Sequence, residues 1–298
     1  GVVINEFLAH TDPPQMDYIE LFNRGPQTVD LSGCGLSDRA ETNKFILPAN
    51  TLLAPGARCV FFESDLGFAL SSQGEAIFLV RADGSRVIDA VRFGAQANGV
   101  SSGRWPDGAP GIRELAQPTP GAPNSKPVVR DIVINELMYH PISGQAKDEY
   151  VELHNRGAQA VDVGYWRFVD GISFMIPPGT VIPAGGYLVV ARDRAHLLSQ
   201  YPQLNLANTV GDYDGELSDR GERVALAKPD DPQKPFQDFV VVDEVTYSDG
   251  WGRWTDGGGS SLELTDAHAD NDLGPNWEGS DETAKAPWTD IEHTGVID

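Results

Sequence analysis

Hydrophobic and polar positions alternate in short runs along most of the chain. In Tyr18-Ile19-Glu20-Leu21-Phe22, Ile19 and Leu21 fall on one face and Glu20 on the other, the period of a half-buried strand. Asn23-Arg24-Gly25 ends that run, glycine supplying the positive φ of a tight turn. Leu53-Ala54-Pro55-Gly56 predicts a second turn, leading into the strand-forming run Cys59-Val60-Phe61-Phe62. Ala76 to Val80, a turn at Asp83-Gly84 and Val87 to Phe93 predict a hairpin. The one helical stretch expected is Arg194 to Tyr201. Many short strands bounded by turns predict an all-β sandwich.

The pattern occurs twice. Val3-Ile4-Asn5-Glu6-Phe7 returns as Val133-Ile134-Asn135-Glu136-Leu137, and Asp17 to Gly25 returns as Glu149 to Gly157, carrying Glu20, Asn23 and Arg24 into Glu152, Asn155 and Arg156. Val29-Asp30-Leu31 matches Val161-Asp162-Val163, and Phe45 to Pro48 matches Phe174 to Pro177. Gly103-Arg104-Trp105-Pro106-Asp107-Gly108 is paired with Gly252-Arg253-Trp254-Thr255-Asp256-Gly257. Preserved order over this length predicts a duplicated domain. The expected boundaries are 1–124 for the first copy, 125–130 for a Pro-containing linker, 131–278 for the second copy and 279–298 for an acidic tail. The second copy's hairpin is stretched by the polar insert Lys228 to Pro235. The proline-dense junction Pro118 to Pro127 predicts a stiff, extended connection.

Composition narrows the partners. The chain has 298 residues, room for two cores, and 40% hydrophobic residues to fill them. Twenty-two Lys and Arg against 44 Asp and Glu give a formal charge of -22, which repels phosphate backbones and anionic headgroups. Direct nucleic-acid binding and membrane insertion are therefore not expected. The chain opens directly on a strand-like run, which predicts flanking domains of a longer parent chain.

The run Ile-Asn-Glu, then Tyr-Ile/Val-Glu-Leu-x-Asn-Arg-Gly, then Val-Asp-Leu/Val, then Gly-Arg-Trp-x-Asp-Gly resembles the bacterial lamin tail domain. So does the close of the first copy, Thr119-Pro120-Gly121-Ala122-Pro123-Asn124. The resemblance covers nearly the whole chain, twice. It implies two tandem immunoglobulin-like β-sandwich domains, of a family found in nuclear lamins and in large secreted or surface bacterial proteins beside nucleases and phosphatases. The second copy departs from it at Gly164-Tyr165-Trp166 and in its acidic end.

Glu6, Glu20, Glu136 and Glu152 invite a reading as paired acid and base. They recur beside the same Asn5, Asn135, Asn23, Asn155, Arg24 and Arg156, with Gly25 and Gly157 following, so an architectural role, such as a turn-capping hydrogen bond or a pair with Arg24 or Arg156, is expected instead. Gly99-Val100-Ser101-Ser102-Gly103 spells a nucleophile elbow but lacks the strand–turn–helix context. Asp266, Asp270, Asn271 and Asp272 with Glu278, and more weakly Asp212 and Asp214, are the oxygen-rich loops a calcium ion would take; a solvated loop is the default. Trp105 and Trp254 follow Gly-Arg, and arginine is expected to pack on each indole. Trp251 and Trp288, specific to the second copy, are the candidates for stacking on a ligand. Cys34 and Cys59 align with Trp166 and Leu188 and are expected to face the core, either as two free thiols, the favoured reading, or as one inter-strand bridge.

Taken together, these readings predict a non-catalytic interaction, adhesion or spacer module of an extracellular or cell-surface bacterial protein. The expected partner is a protein or a cell-surface polymer, with no cofactor other than calcium. The alternative is a calcium- or carbohydrate-binding accessory region of an enzyme whose catalytic domain lies elsewhere. A metal-dependent hydrolase at the acidic end of the second copy is the third class, and is not expected.

Overall fold

The computed structural model describes residues 1–39 and 42–281. They fall into two compact units, Gly1–Val129 with Asp230–Val240, and Arg130–Pro229 with the chain from Val241 on. Among the described residues no helix is long and apolar enough to cross a membrane.

The first copy runs β1 (Val2–Leu8), β2 (Tyr18–Asn23), β3 (Val29–Asp30), β4 (Gly35–Ser37), β5 (Phe45–Ile46), β6 (Leu52–Leu53), β7 (Arg58–Phe62), β8 (Gly74–Val80), β9 (Val87–Gly94), β10 (Ser102–Arg104) and β11 (Ile112–Glu114). One sheet has the order β11-β10-β1-β2-β7, the other β5-β4-β8-β9, and β3 pairs with β6. Ile4, Ile19 and Leu21 from the first sheet meet Leu36, Ile77 and Leu79 from the second in one core, the arrangement of a sandwich.

The second copy runs β12 (Ile132–Met138), β13 (Tyr150–Asn155), β14 (Val161–Asp162), β15 (Arg167–Asp170), β16 (Phe174–Met175), β17 (Val181–Ile182), β18 (Tyr187–Ala191), β19 (Thr209–Gly211), β20 (Arg223–Pro229), β21 (Phe239–Thr246), β22 (Leu262–Leu264) and β23 (Trp277–Gly279). Its sheets are β19-β18-β13-β12-β22-β23 and β16-β15-β20-β21, with β14 beside β17. Among the described residues, the strand β19, parallel to β18, has no counterpart in the first copy. The expected helix is α2 (Arg194–Gln200), capped by Asp193, whose carboxylate accepts from the His196 amide. A shorter one, α1 (Glu63–Leu66), was not anticipated; it buries only Leu66 and stops at Gly67, whose φ is 69°.

The expected hairpin is β8 and β9, and residues 230–238 extend its counterpart between β20 and β21. Cys34 and Cys59 are free thiols, Cys34 buried and Cys59 partly so, and burial pushes the Cys59 thiol up to about 11. The aligned positions hold: the Cys34 amide donates to the Leu31 carbonyl, as that of Trp166 does to Val163, and Cys59 lies opposite Leu21 as Leu188 does opposite Leu153.

Two expectations change. Glu20 was read as the exposed face of a half-buried strand, yet it is fully buried, and β1 and β12 are buried at every residue. Further, the junction read as a stiff, extended linker folds back on the first copy. Ala116 donates its amide to the Lys126 carbonyl, Val128 donates to the Glu114 carbonyl, and Leu115 bridges Pro127. Proline restricts φ but leaves each carbonyl free to accept, so a Pro-rich segment can still dock on a strand edge.

Candidate functional site

The recurrent polar residues gather on the outside of the β11-β10-β1-β2-β7 sheet. The pairing of β1 with β2 slips between Ile4 and Glu6, leaving Asn5 as the extra residue of a bulge. The same slip occurs between Ile134 and Glu136, so the Ile-Asn-Glu repeat encodes a bulge. Asn5 Nδ2 donates to Glu20 Oε1 at 2.9 Å and to Asp107 Oδ1 at 2.8 Å, while its Oδ1 accepts from the Gly108 amide at 3.0 Å.

The close of the first copy lies across this bulge and explains the burial of Glu20. Thr119 donates through its amide and hydroxyl to Glu6 at 2.9 and 3.0 Å, and the Gly121 amide donates to Glu20 Oε2 at 2.7 Å. Asn124 Nδ2 donates to the carbonyls of Asn5 and Arg104 at 3.1 and 2.8 Å. Ser101, the serine of the elbow-like spelling, is fully buried and donates to Glu6 at 2.7 Å. Arg58 pairs with Asp107 and reaches Glu20 at 3.6 Å. Desolvation nonetheless holds the Glu20 carboxyl up to about 7. A carboxyl shifted to near neutrality is often a catalytic mark. Here both oxygens are taken by Asn5 and Gly121 beneath a covering segment, so the group is placed to bind chain.

Arg104 does not lie on the Trp105 indole. Its Nε donates to the Ile4 carbonyl at 2.8 Å, and its terminal nitrogens reach the carbonyls of Ala109 and Pro110 and the Asp89 carboxylate at 3.1 Å. Asp89 in turn accepts the Ile4 amide at 2.8 Å, next to the bulge. Arg24 donates to the Gly108 carbonyl rather than to a carboxylate, and Arg156 to those of Arg130 and Ala267. Asn23 and Asn155 cap their turns identically: each accepts an amide two residues on, from Gly25 and Gly157, and each donates to two carbonyls.

The second copy repeats part of this network. Asn135 donates to Glu152 at 3.1 Å, Tyr150 donates to Glu136 at 2.6 Å, and Ser261 donates to Glu136 as Ser101 does to Glu6. Asp243 accepts the Ile134 amide at 2.7 Å, standing where Asp89 stands. Asn271, expected among calcium ligands, donates through Nδ2 to Asp243 at 2.7 Å, the place Arg104 fills in the first copy. Burial pushes the Asp243 carboxyl up to about 7, against the bonds from Ile134 and Asn271 and the charge of Arg156, which act to lower it.

This register corrects the pairing of the two Gly-Arg-Trp runs. Glu6 faces Gly103, but Glu136 faces Glu263, so β10 corresponds to β22 and Arg104 to Leu264. Arg253 and Trp254 lie in the preceding loop, where the Arg253 guanidinium sits 5.4 Å from the indole centroid and Trp254 is 64% exposed. Trp105 is 43% exposed. Trp251 is half-buried against the core, its rings 6.4 Å from those of Trp277, which leaves little of it as a ligand platform. Trp288 lies outside the described residues.

The acidic loops are dispersed. Among the described residues no group of three or more His, Cys, Asp or Glu is arranged to hold a metal ion. Asp266 accepts the His268 amide and Asp270 the Asp272 amide, both as local turn bonds. Glu278 lies on β23 opposite Glu263, Asp212 accepts the Arg194 amide, and Asp214 pairs with Ser173 through the backbone.

Sequence reasoning missed Asp89, Asp243, Asn124 and Ser261. A charged residue in the middle of each second hairpin strand was the available signal for the two aspartates. The family described as the Lamin Tail Domain matches residues 1–95 and 125–249, one stretch in each copy. No curated protein and no solved structure matched the chain.

Proposed function

Because the chain belongs to the lamin tail domain family, present here as two tandem immunoglobulin-like domains, we propose that it is a non-catalytic interaction or spacer region of a large secreted or cell-surface protein. The observation that carries this reading is the use made of the recurrent carboxylates. Glu6 and Glu20 accept from the module's own closing segment, and Glu136 from Tyr150 and Ser261. The residues most suited to acid–base work thus serve to hold chain to sheet. The net charge of -22 favours partners that are not polyanions.

The test has two arms. Antibodies raised against the chain should label intact cells that carry the parent protein, and the immobilised chain should bind saturably, with Kd near or below the micromolar range, to a cell-wall polysaccharide or a surface protein. Labelling only after lysis would overturn the surface assignment. Turnover of any phosphoester or glycoside substrate above the level of heat-denatured chain, with or without added divalent metals, would overturn the non-catalytic reading.

A further inference from the structure

The larger sheets of the two copies differ at one edge. β18 is covered by the parallel strand β19, whereas β7, its counterpart, ends its sheet. The registers agree: Glu20 faces Val60 as Glu152 faces Val189, so Val60, Phe61 and Phe62 answer to Val189, Val190 and Ala191. β8 follows β7 after residues 63–73, but β20 follows β18 only after 192–222, and that longer connection holds α2 and β19. The two chains come back into step where Leu70 and Leu217 donate their amides to Asp17 and Glu149.

β19 completes its module in two ways. The Val189 amide donates to the Asn208 carbonyl at 2.9 Å, and Val210, opposite Val190, enters the core. β18 is accordingly buried from Leu188 to Ala191. In the first copy every residue of β7 is partly exposed, and Cys59 and Phe61 are only half-covered at the margin of the core. The Ala57 carbonyl and the Glu63 amide bond towards β2, so alternation turns the amide and carbonyl of Val60 outward. Among the described residues neither has a partner. Charge and space define what fits there. Asp212, just past β19, accepts the Arg194 amide at 3.0 Å, and Arg192 bonds the Tyr213 carbonyl beside it. Register puts Glu63 and Asp65 where Arg192 and Arg194 stand, so an acidic end replaces a basic one and calls for Lys or Arg in place of the aspartate. A Cβ on Gly211 would lie 2.5 Å from the Ala191 carbonyl, so the residue beside Phe62 is a glycine too.

We propose that β7 is a docking edge that takes an extended segment of a partner protein as a parallel strand, with a β-branched apolar residue against Phe61, glycine beside Phe62 and Lys or Arg next. Two β7 edges related by a twofold axis would pair antiparallel, so a second β7 does not supply this strand. The edge rests on the interaction reading above and gives it a site.

Amide NMR of the full chain, titrated with a blocked peptide of residues 205–214 carrying Asp212→Lys, tests this. The expected result is saturable shifts centred on Val60, with a Kd of about 0.1–1 mM. A spin label on the peptide's N-terminus should broaden Arg58 more than Phe62. N-methylation of the peptide's valine removes the donor to the Val60 carbonyl and should weaken binding about tenfold. The peptide that keeps Asp212 should bind about threefold more weakly. Val60→Pro, whose lost amide faces outward, should fold and lose binding, and the N-methylated peptide makes the same test without altering the chain. Unmoved β7 amides, indifference to N-methylation, the opposite broadening, equal binding of the Asp212 peptide, binding by Val60→Pro, or a dimer of the chain alone that protects these amides would each overturn the proposal. Cell labelling and whole-chain binding are read separately, so this edge can fail while the broader reading stands.

Discussion

Glu20 shows how far a single side chain can be carried from its ordinary chemistry. Its carboxyl has an ordinary value of 4.5 and is held up to about 7, first by desolvation; Glu149 and Asp243 reach about 7 for the same leading reason. Each binds its proton more tightly folded than unfolded, so the stabilisation is complete below the unfolded value. It is lost progressively as pH rises through about 7. The melting temperature should accordingly rise by several degrees between pH 8 and pH 5, followed by circular dichroism. A flat profile would mean these carboxyls are not so buried. Glu20→Gln places an amide NH2 where a second acceptor is needed, against Asn5 Nδ2 or the Gly121 amide. We expect it to cost about 1–3 kcal/mol at pH 5 and less at pH 8, because only the carboxyl loses stability on that path. Chemical denaturation at both pH values checks the difference.

At the scale of elements, the closing segment is fastened to the first copy by the side chains of Glu6, Glu20 and Asn124, and by the backbone bonds of Ala116 and Val128 at its base. Asn124→Ala removes two donors to buried carbonyls and should destabilise by about 1–3 kcal/mol. Gly103→Ala should do the same by crowding, since a Cβ there would lie 2.7 Å from Asn124 Nδ2 and 2.8 Å from the Asn5 carbonyl. Urea titration measures both, and a neutral Gly103→Ala would show that the segment is not seated as described. Strand positions were legible from alternation, and so was the equivalence of Cys34 with Trp166, because each follows a turn of identical length. The burial of Glu20 was not legible, because alternation reports a strand's two faces but not what comes to lie on them. The two Gly-Arg-Trp runs misled because identical tripeptides can occupy a strand in one copy and a loop in the other. Ser101 and Ser261, each bonded to the bulge glutamate, mark the true correspondence. The partner of Asn271 was hidden for a related reason: spacing within a loop does not reveal a residue 28 positions away.

For the whole molecule, a charge of -22 acts on stability as self-repulsion. Raising ionic strength from about 10 mM to 0.3 M shortens the Debye length from roughly 30 Å to below 8 Å, and the melting temperature should rise with it. The rise should be equal for sodium and calcium chlorides at matched ionic strength. A larger effect of calcium alone, removed by chelator, would reveal a specific site among the acidic loops. The way the junction is fastened has a mechanical consequence as well. Tension entering the first module through Arg130 meets the bonds of Val128, Lys126, Asn124, Gly121 and Thr119 before it reaches any strand of the sandwich. These are small, separately breakable attachments, and they load one after another. Freeing residues 118–128 would pay out roughly 35 Å of chain, at about 3.4 Å per residue, while both cores stayed intact. The first module thus carries its own shock absorber, and its extension under force should begin with several small steps that together stay within that length.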